Sequence, residues 1–91
     1  MPDDRNRVAV TIYGEEYTLK SSASQEYVLK LAELVDRKMR EVGEANPKLG
    51  ISRVAVMAAL RLADDLLRLR DEMEQVSASL EEEWMRRHRS T

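Results

Sequence analysis

Cysteine is absent and His88 is the only histidine, which excludes disulfide frameworks, Cys/His zinc sites and any nucleophilic arrangement that needs a thiol or a second imidazole. The three glycines, Gly14, Gly43 and Gly50, are scattered, so neither a GxGxxG nor a GxxxxGK loop exists to cradle phosphates. Cofactors and metals are therefore not expected. Phe is missing and aromatics are 4% of the chain, a composition of long helices with modest cores rather than of a compact enzyme. The longest apolar run, Val54 to Leu60, is seven residues, far short of the roughly 20 that cross a bilayer. The opening MPDDRNR has no signal-peptide core. These absences point to a cytoplasmic protein with no membrane contact. Neither sign of charge dominates: 15 Lys and Arg stand against 17 Asp and Glu, a net charge of −2, without the positive excess of a nucleic-acid binder.

What is present has the period of secondary structure. Ninety-one residues make one small domain that buries only about 60–65% of its unfolded surface, so a partner is expected. Residues 1–7 are polar and read as a flexible tail. Val8, Val10 and Ile12 alternate with Ala9, Thr11 and Tyr13, Gly14-Glu15-Glu16 supplies a turn, and Tyr17-Thr18-Leu19-Lys20 returns, which predicts a β-hairpin. Ser22 to Gln25 matches a capping box. A helix follows in which Tyr27, Val28, Leu31, Ala32, Val35, Met39 and Val42 form the apolar stripe and Gly43 a natural end. Asn46-Pro47 and Gly50 mark a short connector, and Ser52 is the expected cap of a last helix running from Arg53 to about Arg87.

That last helix would be about 50 Å long and should project as a stalk. Ala55, Ala59, Leu62, Leu66, Leu69, Met73, Val76 and Leu80 are spaced alternately 4 and 3, a heptad seam. Val56, Leu60, Ala63 and Leu67 form a second stripe that ends at Arg70, so the first half of the helix can hold its own head while also meeting a partner. Leaving the seam leucines in water forgoes roughly 1.5–3 kcal/mol each, which predicts self-association through Leu62, Leu66, Leu69, Met73, Val76 and Leu80. The seam leaves two copies or four, and parallel or antiparallel pairing, equally open. The fold class is α+β, mostly α: a small head of β-hairpin plus helix over residues 8–60, then a long coiled-coil stalk over 61–91.

Chemistry is sparse along this frame. Asp64-Asp65 and Glu81-Glu82-Glu83 sit on adjacent helical positions that point about 100° apart, and they read as a solvated face rather than an acid–base or metal site. Asp64 with Arg68, Glu82 with Arg86 and Glu83 with Arg87 have the spacing of i,i+4 ion pairs. His88 among Arg86, Arg87 and Arg89 reads as a basic helix end that complements the dipole. Trp84 lies one residue off the seam, either as an exposed docking aromatic or packed on a neighbouring stalk. Met39, Met57 and Met73 fall at core spacing. Arg37, Arg40, Glu44, Lys48 and Arg53 make a charged patch beside the connector.

The order hairpin, helix, Asn-Pro loop and heptad helix resembles the ZapA family of bacterial cell-division accessory proteins, in the short form of Gram-positive bacteria. The likeness is carried by Val10-Thr11-Ile12-Tyr13-Gly14, by Val35-Asp36-Arg37-Lys38-Met39-Arg40-Glu41-Val42, by Asn46-Pro47-Lys48-Leu49-Gly50-Ile51 and by Ala55-Val56-Met57-Ala58-Ala59-Leu60. Where the family often has Asn after the last of these, this chain has Arg61. The resemblance implies a non-enzymatic protein at the mid-cell division ring that binds FtsZ and crosslinks or bundles its filaments, as a dimer or a tetramer. It also implies head residues for the FtsZ contact: Lys48 and Arg53 at matching positions, with Arg40, Glu44 and Glu15 added from their expected placement beside the loop. Two rival readings remain, a small dimeric ribbon-helix-helix DNA binder and a generic coiled-coil adaptor. The former is disfavoured by the acidic balance, the Val-Ala-Val-Thr-Ile-Tyr strand and a final helix that such a fold does not need.

Overall fold

A computed structural model describes residues 7–89 as β1 (Arg7–Ile12), β2 (Glu15–Lys20), α1 (Gln25–Ala45) and α2 (Ile51–Arg89). Arg7 belongs to β1 rather than to the expected tail, whose other residues lie outside the described part of the chain. The strands are antiparallel, with Val8 opposite Leu19, Val10 opposite Tyr17 and Ile12 opposite Glu15, so these side chains share one face. Only half of that face is covered. Val8 and Val10 are buried with Val28 and Ala32 of α1, whereas Tyr17 and Leu19 stay 42% and 38% exposed.

The hairpin turn falls one residue earlier than the sequence suggested. Tyr13 and Gly14 both have positive φ, 51° and 80°, as a two-residue turn of the I′ kind requires, while Glu15 and Glu16 already belong to β2. This turn matches the twist of the strands it joins, which explains why it wins over a looser one. Gly14 adopts the conformation freely; Tyr13 does so only because other contacts hold it, as described below.

The capping serine of α1 is Ser24, not Ser22. Its extended backbone (φ −65°, ψ 155°) and its hydroxyl, which accepts from the Tyr27 N–H at 3.2 Å, define the cap, and Gln25 is the first helical residue. Ser21 instead accepts from the Ala23 N–H at 3.0 Å in a local turn that leads into the helix. The far end also shifts. Gly43 lies inside α1, and Asn46 caps it, its backbone N–H directed at the carbonyls of Val42 (3.0 Å) and Gly43 (3.3 Å) and its side-chain amide donating to Val42 at 3.1 Å. Pro47 steers the residue before it out of the helical region, so the helix ends where the proline dictates.

Helix α2 begins at Ile51. Val54 donates to the Gly50 carbonyl at 3.0 Å, which places Gly50 at the cap and Ser52 inside the first turn. The side chains that hold α2 to the rest of its unit are Val54 and Ala58, fully buried against Met39 and Val42, with Met57, Val35, Leu49, Ile12 and Tyr13 around them. Val56 and Leu60, of the second apolar stripe, are exposed in the single chain. Val54 to Leu60 is apolar at every position, so several faces were available and the connector geometry selected one. Ile12 packs on both apolar clusters and joins them.

The chain forms two compact units, one ending at Arg61 and the other beginning at Leu62. In the second unit every residue from 63 to 89 is exposed in the single chain. Met73, at core spacing and in the expected self-association seam, is among them. None of the helices among the described residues is long and apolar enough to cross a membrane.

Candidate partner-binding site

One carboxylate, Asp36, links the hairpin turn to Arg40 of α1. The Tyr13 backbone N–H donates to Asp36 Oδ1 at 2.7 Å, across 23 residues of sequence, and Arg40 Nε donates to Asp36 Oδ2 at 2.9 Å. The Asp36 carboxyl is held below its ordinary value of 3.8, first by the Tyr13 N–H and then by the Arg40 guanidinium. Arg40 is correspondingly raised by its hydrogen bond to Asp36 and by that carboxylate's charge, with a smaller contribution from Glu44. The Arg40 side chain nevertheless remains 60% exposed. Asp36 was not among the expected contact residues; its i,i+4 spacing to Arg40 was the available signal.

The other expected contact residues are spread around this point. Glu15 opens β2, accepts from the Tyr17 hydroxyl at 2.9 Å and so pushes that phenol up. It also lines a groove of about 360 Å³ under the uncovered half of the sheet, with Tyr17, Leu19, Met39, Ile51 and Ala55. Glu44 is exposed on the last turn of α1, Lys48 is exposed in the connector, and Arg53 is exposed on the first turn of α2. Arg61 is likewise exposed. Among the described residues, none of the hydrogen bonds or ion pairs ties Lys48 or Arg53 to Arg40 or Glu15.

On the second unit the seam is bare. Leu66, Leu69, Met73, Val76 and Leu80 are between 54% and 65% exposed, and Leu62, at its start, is half-buried. A shallow groove of about 360 Å³ follows Leu69, Met73, Val76 and Leu80, the shape that receives the side chains of another helix. Asp64 with Arg68 and Glu83 with Arg87 pair at 3.1 Å on exposed faces. Trp84 is exposed, its ring stacked on His88 with centroids 3.9 Å apart, and His88 Nδ1 lies 2.8 Å from the Trp84 carbonyl.

A hairpin, a capped helix and a helix whose apolar seam has nothing to cover it define a small scaffold built to associate. The family model for cell division protein ZapA matches residues 8–89. A cell division protein ZapA of Geobacillus sp. strain WCH70 is 38% identical over 79 residues, covering 87% of this chain and 91% of that protein. One of Bacillus licheniformis is 35% identical over 78 residues, covering 86% and 92%. Among solved structures, an unknown conserved bacterial protein from Pseudomonas aeruginosa PAO1 superposes with a TM-score of 0.73 at 35% identity, covering 85% of this chain and 86% of that one. A ZapA mutant dimer from Geobacillus stearothermophilus gives 0.64 at 34% identity, covering 85% and 90%. The chain belongs to the ZapA family of cell division proteins.

Proposed function

We propose that this protein binds FtsZ filaments and crosslinks or bundles them at the mid-cell division ring in the cytoplasm, promoting assembly of the ring without catalysing a reaction. The observation that carries this reading is the bare seam from Leu66 to Leu80, on a chain of the ZapA family. A crosslinker needs at least two copies of a modest binding face at a fixed separation, because multivalency converts weak single contacts into avidity while each contact remains free to exchange. Pairing along α2 supplies the copies, and the solved dimer of a family member supports a homo-oligomer here. The first unit supplies the contact through Lys48, Arg53, Arg40, Glu44 and Glu15. FtsZ is acidic in general, so the three basic residues aid encounter and the interaction weakens with salt.

Co-sedimentation with polymerised FtsZ tests the proposal, using wild type and the Lys48→Glu, Arg53→Glu variant after light scattering has shown equal mass for both. Wild type should pellet with and bundle the polymer while the variant stays in the supernatant. Wild type remaining in the supernatant at low salt overturns the function; equal pelleting by both removes Lys48 and Arg53 from the site.

A further inference from the structure

We infer that Asp36 is a positioning residue of the partner-binding surface: it joins the hairpin turn to Arg40 and so presents the Arg40 guanidinium, already oriented, to a carboxylate on the filament. The inference rests on the FtsZ-binding reading above and adds how that site is assembled and which chemistry it recognises.

One carboxylate performs two tasks. Oδ1 takes the backbone N–H of Tyr13, the first residue of the left-handed turn, and Oδ2 takes Nε of Arg40. Asp36 is the sheltered member, 23% exposed against 60% for Arg40, so the anchor lies inside and the cation outside. Anchoring through Nε uses one edge of a planar group with five donors in a rigid fork. Among the described residues the Nη groups of Arg40 make no hydrogen bond, although the Glu44 carboxylate adds to the field at the guanidinium, so the outer edge keeps the donors that engage a carboxylate bidentately. An arginine already held in place also loses less rotamer freedom on binding than a free one.

The same clamp touches two elements that each carry a candidate contact. Glu15 lies two residues after Tyr13, at the end of the turn that Asp36 holds, and its own carboxylate is steadied by the Tyr17 hydroxyl. Arg40 on α1 and Glu15 on β2 thus belong to elements that the Asp36–Tyr13 bond ties together, one carrying a cation and the other an anion.

Asp36→Asn separates the two tasks. The asparagine carbonyl still accepts from Tyr13, but its amide opposes the Arg40 Nε–H, donor against donor, so the hairpin stays docked while Arg40 is released. The full-length protein is titrated into polymerised FtsZ, with circular dichroism and light scattering recorded for each variant. Asp36→Asn should weaken binding about three- to tenfold, the scale of immobilising one long side chain. In an Arg40→Ala background it should have no further effect. Arg40→Lys, which leaves the Tyr13–Asp36 bond untouched, should lose a similar factor despite keeping its charge. The Arg40 Nε–H resonance in nuclear magnetic resonance spectra supplies a readout that needs no partner: protected from exchange in wild type, unprotected in Asp36→Asn.

Unchanged affinity in Asp36→Asn, wild-type affinity in Arg40→Lys, or an equal loss from Asp36→Asn with and without Arg40 overturns the positioning role. Should wild type itself fail to bind FtsZ, the functional reading falls, and a protected Arg40 Nε–H then shows the clamp standing without that partner.

Discussion

The ring of Tyr13 lies directly over Gly43, so close that a Cβ built there would sit 3.2 Å from the ring Cζ and closer still to the phenolic oxygen. Gly43 is helical, with no need of left-handed backbone; it is the missing side chain that α1 requires at this point. Tyr13 in turn is fixed at its own backbone by Asp36, so its ring can yield only by rotating about its side-chain bonds.

Gly43→Ala accordingly sets two effects against each other. Alanine gains about 1 kcal/mol of helix propensity over glycine. Forcing a methyl group into occupied space costs about 1–3 kcal/mol. The expected net effect is a loss of about 1 kcal/mol, measured by urea unfolding at one fixed protein concentration. In a Tyr13→Asn background, where Asn-Gly suits the turn and the ring is gone, the same Gly43→Ala change should become stabilising. Stabilisation in the wild-type background would show that the Tyr13–Gly43 contact does not constrain α1.

The lowered Asp36 carboxyl predicts an acid-sensitive component of stability. The folded chain holds the Asp36 proton less tightly than the unfolded chain does, so the contribution is fully present above the ordinary value of 3.8 and is lost as pH falls through the lower folded value. Thermal melts at a series of pH values should show wild type above Asp36→Asn at neutral pH, with the gap closing on acidification below about pH 4. A gap that persists unchanged at pH 2 would show that ionised Asp36 is not its source.

Three serines precede α1, and one of them, Ser24, caps it. Ser24→Ala removes the acceptor of the Tyr27 N–H and should cost about 1 kcal/mol. Ser22→Ala should stay within about 0.5 kcal/mol, because Ser22 is exposed and caps nothing. The reverse order in a denaturant series would return the cap to Ser22.

This serine cluster illustrates what local pattern could and could not decide. The alternation of Val8, Val10 and Ile12 and the helical spacing of Val28, Ala32, Met39 and Val42 were legible because β1 and α1 each bury one face, and burial imposes a period, although Tyr27 and Leu31, expected on the same stripe, are exposed at its edge. Ser22 and Ser24 both have a capping side chain, and the choice between them depends on where the chain leaves the hairpin. Tyr13 at φ 51° goes against the preference of its residue type and is held by contacts from α1, beyond the reach of propensity. Val54 and Ala58 were hidden in a run with no polar residue to mark a solvent face. For the candidate site, Arg40, Glu44, Glu15, Lys48 and Arg53 were visible as charges near one loop, whereas the bond that organises Arg40 joins residues 23 apart through Asp36 and Tyr13.

The seam on α2 makes the sharpest prediction about assembly. Burying Leu69 and Val76 against another helix is worth roughly 1.5–3 kcal/mol per side chain, and a carboxylate in either place forfeits that gain and adds the cost of desolvating a charge. Leu69→Glu, Val76→Glu should therefore reduce the mass seen by light scattering to that of one chain. Most of a helix's stability in a protein comes from packing of its apolar face rather than from propensity, so the helical signal should fall with the mass, by an amount attributable to the second unit. The clusters around Val10 and Val54 lie wholly in the first unit and do not include either position, so its hairpin and α1 should remain folded and retain the Tyr13–Asp36 bond. Single-site contact with FtsZ would then survive while bundling is lost, because one face without a second copy can decorate a filament and cannot link two. An undiminished mass in the double variant would place self-association elsewhere, and the uncovered half of the sheet, with Tyr17 and Leu19, would be the next surface to alter.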